Sequence, residues 1–166
     1  YAVERGLFTG VSETKFDPDG TMTRAMFVTV LGRAAGVDAA AYAGSVFDDV
    51  PGGQWYSAYV KWASENGIVT GVGGNKFAPN TSITREEMAV ILYRYAQFAS
   101  VTLKSDAVPP FADAGEISSW ATDAVDAMAR AGTINGVGEE RFAPKNTATR
   151  AEVATLLSRF VQEYAS

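Results

Sequence analysis

Thr84-Arg85-Glu86-Glu87 stands at the head of an apolar helical pattern, and it returns as Thr149-Arg150-Ala151-Glu152 and as Thr23-Arg24-Ala25-Met26. Three openings of one kind make the chain a repeat protein, so each unit is read as a member of a set. Thr84 with Glu87, and Thr149 with Glu152, fit a capping box, in which the threonine oxygen and the glutamate carboxylate satisfy amides left over at the helix start. Met26 holds the glutamate position in the first unit, so its cap is half made. The arginine is the unusual member. It falls in the first turn, where the helix macrodipole is positive and a cation is disfavoured. Its recurrence predicts that Arg24, Arg85 and Arg150 bind an anion, helped by amides free at the helix start. The bland alternative is a structural ion pair with a nearby aspartate.

Upstream of these openings the units align further. Phe47-Asp48-Asp49-Val50 answers to Phe111-Ala112-Asp113-Ala114, and Trp55 to Trp120 once one residue is inserted. Gly67-Ile68-Val69-Thr70-Gly71-Val72-Gly73 answers to Gly132-Thr133-Ile134-Asn135-Gly136-Val137-Gly138, and Phe77-Ala78-Pro79 to Phe142-Ala143-Pro144. The first unit joins only at Gly6-Leu7-Phe8-Thr9-Gly10-Val11 and Phe16-Asp17-Pro18, so the chain is expected to begin inside a unit. The units are expected over residues 1–43, 44–106 and 107–166.

Each full unit carries two helical stretches. Trp55, Tyr59, Trp62 and Ala63 recur at helical spacing, with Gly67 just past the end; the counterpart is expected from about Ile117 to Ala131, ending at Gly132. The second helix begins at the threonine. Its stripe is Met88, Ile91, Leu92 and Tyr95 in one unit, Val153, Leu156, Leu157 and Phe160 in the next, and Met26, Val30 and Leu31 in the first. Asp38 to Tyr42 fits a short helical turn, and Pro109-Pro110 cannot lie inside a helix. The expected fold is all-α: three tandem helix–loop–helix repeats in a pseudo-threefold arrangement, with the three second helices forming a central bundle and the loops projecting outward.

Composition narrows the function. Fourteen Lys and Arg stand against 19 Asp and Glu, a net charge of −5. An acidic chain without a basic run is a poor partner for nucleic acid, so no nucleic-acid role is expected. Hydrophobic residues make up 47% of the 166, which supplies a core. The chain has no cysteine and no histidine, so it lacks thiolate metal sites, disulfides and the commonest general base. No apolar run is long enough to span a bilayer, and no leader pattern stands at the start, as expected of a processed secreted protein or an excised domain. Asp17-Pro18-Asp19-Gly20 has the look of a calcium loop, but its glycine comes too early and Val28 stands where a glutamate ligand belongs. No metal or cofactor is expected. Glu86-Glu87 are adjacent on a helix and do not face each other, and Glu139-Glu140 reads as a solvated loop. No catalytic carboxylate pair is found, and the chain is not expected to be an enzyme.

The ordered set Phe-x-Asp-Val, Trp, Gly-Ile-Val-Thr-Gly, Phe-x-Pro and Thr-Arg-x-Glu resembles the S-layer homology (SLH) domain, two units over their whole length and one over its latter part. The resemblance implies a three-pronged spindle at the bacterial cell surface, in the S-layer or cell wall. It implies non-covalent attachment to a cell-wall glycopolymer, often a pyruvylated one, in grooves between repeats. The positions it implies for ligand are Arg24, Arg85, Arg150, Asp49, Asp113, Trp55, Trp120, Gly10, Gly71 and Gly136. Ala114 for Val and Asn135 for Thr are mild departures; the first unit lacks its Asp and Trp.

Physically, an arginine can clamp a carboxylate bidentately, and a tryptophan can offer a sugar ring an apolar face and an indole N–H. The glycines could form amide nests for a ligand, or simply tight turns. The aspartates could accept from sugar hydroxyls or from loop amides. Trp62 has Ala127 as its counterpart and reads as packing. A structural self-assembly module, with self-association in place of sugar binding, is the alternative reading of the whole.

Overall fold

The computed structural model describes residues 20–138 and 140–164. Gly10 and the Phe16-Asp17-Pro18 segment of the first unit, with most of the calcium-like loop, lie outside the described residues. The chain is all-α: among the described residues there are five α-helices, two short 3-10 turns and no strand beyond isolated bridges.

Helix α1 is Arg24–Ala34, α3 is Arg85–Phe98 and α5 is Arg150–Tyr164, so the three threonine-led patterns are the three second helices. Thr23 accepts a hydrogen bond from the Met26 amide (3.1 Å) and Thr149 from the Glu152 amide (3.1 Å). Thr84 and Glu87 close a full capping box. Helix α2 is Ser57–Glu65 and α4 is Thr122–Arg130. Gly67 and Gly132 follow them with φ of 71° and 76°, the left-handed exit that favours glycine. Helix α4 begins later than its apolar spacing predicts. Ala114–Glu116 forms a 3-10 turn, and the Ser118 amide and hydroxyl both donate to Glu86 (2.9 and 2.8 Å), which holds this stretch outside the helix.

The three threonine segments meet edge to edge. The Met22 amide donates to the Ala148 carbonyl (3.0 Å), the Ala148 amide to Ile83 (3.3 Å) and the Ile83 amide to Met22 (2.8 Å). This closed ring ties each unit to both others, and Met22, Ile83 and Ala148 are fully buried within it.

Helix pairing crosses the unit boundaries. Helix α1 packs on α2, and α3 on α4, so the second helix of one unit seats the first helix of the next. The apolar stripes explain this. Phe27, Val28 and Leu31 of α1, Val60 and Ala63 of α2, Met88 and Leu92 of α3, and Val125 and Met128 of α4 all belong to one continuous buried core. A unit cannot cover its own stripe, which is the general condition of a repeat fold.

Candidate functional site

The inter-helix loops are built on two aspartates. Both oxygens of Asp49 are used, accepting from the amides of Phe77 and Ala78 (2.8 Å each); Asp113 does the same for Phe142 and Ala143 (2.8 Å each). Ala78 and Ala143 are in the left-handed region (φ 59° and 57°), so successive amides point inward and form a nest that the carboxylate fills. Burial pushes both carboxyls up, but the amide donors outweigh it, assisted by Lys76 or Arg141, and both lie below the ordinary aspartate value. Of the two roles open to them in sequence, the loop hydrogen bond is the one they make here.

Gly71 and Gly136 serve close approach. A Cβ at either would fall 2.6 Å from a carbonyl oxygen, that of Lys76 or Arg141. The amides of Val72 and Val137 donate to those same carbonyls (2.8 and 2.9 Å), closing a tight turn in which Gly73 and Gly138 take positive φ.

The stapled loop then reaches the neighbouring unit. The amides of Arg24 and Ala25 donate to Thr81 and Pro79 (2.9 and 3.0 Å), those of Arg85 and Glu86 to Asn146 and Pro144 (2.9 and 3.1 Å), and that of Arg150 to Gly20 (3.0 Å). The amides expected to assist an anion at the helix starts are therefore already bonded. That expectation is corrected: loop carbonyls of the next unit occupy the place of an incoming anion.

The guanidinium groups follow the same direction around the ring. Arg24 donates from Nε to the Phe77 carbonyl (2.9 Å), lies 4.8 Å from that ring centre, and pairs through Nη1 with Glu87. Arg85 donates from Nε to the Phe142 carbonyl (2.8 Å), from Nη2 to the Asn135 carbonyl (2.7 Å) and from Nη1 to Glu152 (3.2 Å). Burial draws the Arg85 guanidinium below its usual value, against the pull of Glu152 and Asp113. The anion beside each cation is thus the motif glutamate of the following unit, not a nearby aspartate. Arg150 breaks the series. Its Nη2 lies 3.7 Å from the sulfur of Met26, and its buried Nε has no partner among the described residues.

Two grooves open over these pairs. One, of about 410 Å³, brings together Arg24 of the first unit, Gly71 and Val72 of the second, and Trp120 of the third. The other, of about 320 Å³, holds Arg85 with Gly136, Val137 and Glu152. Val72, Val137 and Trp120 are each more than half exposed (57%, 53% and 57%), so both grooves have an apolar rim. Trp55 and Trp120 stand just ahead of α2 and α4 and not inside them; Trp55 stacks edge-on against Tyr56 (4.9 Å) and lines neither groove. Trp62 is buried between Tyr95 and Phe98.

Sequence reading passed over Arg94 and Arg159. They hold equivalent places two helical turns beyond Glu87 and Glu152, and each lines its groove. Their recurrence after the threonine motif was the available signal.

The S-layer homology domain family matches residues 1–26, 46–89 and 110–154. The chain belongs to this family. It is 37% identical over 154 residues to an amylopullulanase of Thermoanaerobacterium thermosulfurigenes, covering 92% of this chain and 8% of that protein. It is 38% identical over 154 residues to exoglucanase XynX of Acetivibrio thermocellus, covering 92% and 14%. It is 31% identical over 164 residues to the surface-layer 125 kDa protein of Lysinibacillus sphaericus, covering 96% and 13%. The chain thus spans a small fraction of each of these relatives, and the two enzymes match it through this domain alone. SLH domains are cell-wall anchoring modules of bacterial cell-surface proteins, and the repeats described above are of that kind. No helix among the described residues is long and apolar enough to cross a membrane.

Proposed function

We propose that this SLH module holds its parent protein to the bacterial wall by binding an anionic glycopolymer, pyruvylated on its sugars, in the grooves between repeats. The observation that carries this reading is the groove that joins Arg24, Gly71 and Trp120 from three successive units. It sets positive charge beside an exposed indole face, the combination that an acidic sugar requires. Its lining includes Arg24, Arg94 and Glu87, so it carries a surplus cation although the whole chain is acidic. The aspartates and glycines support the reading from below, by fixing the loop that forms one wall. The second groove repeats the arginines, glutamate and glycine but has no indole on its wall, and it adds avidity when one polymer reaches both.

Co-sedimentation with purified bacterial cell walls, before and after acid removal of the secondary polymer, tests the reading. Binding is expected to be lost on stripping. Binding that survives stripping points to peptidoglycan, and absence of binding to either favours self-assembly.

A further inference from the structure

The first turn of α3 carries two glutamates that turn in different directions. Glu87 faces the groove and pairs with Arg24. Glu86 turns to the third unit and is 2% exposed. Its Oε2 accepts from the Ser118 amide (2.9 Å), and its Oε1 accepts from the Ser118 hydroxyl (2.8 Å) and the Lys145 ammonium (2.7 Å). The ammonium also donates to the Ser118 hydroxyl. A buried carboxylate bonded in this way holds its donors in place, because moving one of them leaves charge unsatisfied.

Ser118 opens the turn that carries Trp120. The Ala121 amide donates to the Ser118 carbonyl (2.9 Å), and Ala121 is fully buried. Trp120 is thus set between two fixed points, one held by Glu86 and the other by the core, with its indole exposed on the groove wall. Trp55 is held differently. Its turn closes within itself, the Ser57 amide donating to the Gln54 carbonyl (3.1 Å) and the Gln54 amide to the Ser57 hydroxyl (3.0 Å). The sequence follows the same division. One unit back, the equivalents of Glu86, Ser118 and Lys145 are Ala25, Gly53 and Asn80, so the three members of the cluster change together.

Resting on the wall-polymer reading above, we propose that Glu86 is a positioning residue for Trp120. Acting through Ser118 and across a unit boundary, it fixes the indole face that a sugar ring meets. Folding then orders the indole in advance, and the ligand does not bear that cost on binding. Alanine holds the Glu86 position in both other units, as Ala25 and Ala151, and Lys145 is exposed, so Glu86→Ala leaves no charge buried without a partner and the fold is retained.

The test is fluorine NMR of the protein labelled with fluorotryptophan, in which Trp120→Phe identifies the Trp120 resonance. Without ligand, Glu86→Ala should move that resonance toward the position of the free amino acid and leave those of Trp55 and Trp62 in place. Glu86→Gln keeps an acceptor for Ser118 but not the charge, and should leave it near the wild-type position. Ser118→Ala removes the hydroxyl donor alone and should move it less than Glu86→Ala. Titration with a methyl hexoside carrying a pyruvyl ketal, followed at the Trp120 resonance, should show affinity about three- to tenfold weaker in Glu86→Ala and near wild type in Glu86→Gln. A resonance unmoved by Glu86→Ala, or moved equally by Glu86→Gln, overturns the assignment, and so does an affinity that Glu86→Ala leaves unchanged. Should Glu86→Ala fail to fold, a resonance unmoved by Ser118→Ala overturns it instead. A wild-type resonance that does not respond to the hexoside overturns the wall-polymer reading at this groove, while the ligand-free spectra still decide whether Glu86 sets the indole.

Discussion

Arg150 points its Nη2 at the sulfur of Met26 across 3.7 Å, where the two other junctions join an arginine to a glutamate. Among the described residues, the ring of three units is therefore closed by two ion pairs and one arginine–methionine contact. Met26→Glu should repair it. The new carboxylate would pair with Arg150 and also complete the half-made cap at Thr23, for a gain of about 1 kcal/mol. Thermal melting should show a rise, and a melting temperature at or below the wild-type value would refute the pairing.

Glu87 works in two directions. One oxygen accepts from the Thr84 amide (3.1 Å) and hydroxyl (2.9 Å), and the other pairs with Arg24. Glu152 pairs with Arg85 at 3.2 Å and its side chain is 45% exposed. Glu87→Ala is expected to cost about 2–3 kcal/mol and Glu152→Ala about 1 kcal/mol. Urea unfolding of the two variants decides it; equal losses would show that the double role contributes nothing.

Asp49 and Asp113 make stability depend on acid. Their folded-state values lie below the ordinary one, because the paired loop amides outweigh burial. A depressed carboxyl stabilises the fold fully above its unfolded value, about 3.9, and that contribution is lost as pH falls through the folded value. The wild type should therefore lose melting temperature below about pH 4. Asp49→Asn/Asp113→Asn should melt lower at neutral pH and lose less on acidification. An unchanged acid slope in the double variant would contradict the role given to these carboxylates.

The loop glycines should differ sharply among themselves. At Gly71 a Cβ would sit 2.6 Å from the Lys76 carbonyl, whereas at Gly74 it would meet open space at a φ of 60°. Gly71→Ala is expected to cost about 2–3 kcal/mol through overpacking, and Gly74→Ala about 1 kcal/mol through backbone strain alone. Chemical denaturation checks the order, and the reverse order would show that the carbonyl yields readily.

Much of the fold was legible in the chain because its signals are local. Thr84 with Glu87 announces a helix start through bonds made within one turn. Met88, Ile91, Leu92 and Tyr95 announce the buried face through helical period. Gly67 and Gly132 mark exits through backbone freedom. The repeat multiplied each of these, so that the order of the helices among the described residues followed. The start of α4 was less legible, since Glu86 of another unit holds Ser118 out of the helix.

The partners were beyond the reach of sequence. Periodicity says that Arg24 and Arg85 recur; it cannot say that each turns to the glutamate of the next unit, because that depends on which helix packs on which. Nor does it show that loop carbonyls fill the helix-start amides, or that Arg94 and Arg159 line the grooves with no partner among the described residues. Local propensity and spacing settled the elements and their repetition. Tertiary packing decided which charges neutralise one another and which are left facing a groove, because electrostatic pairing depends on distance in space, and the ring of three units brings together residues far apart in the chain.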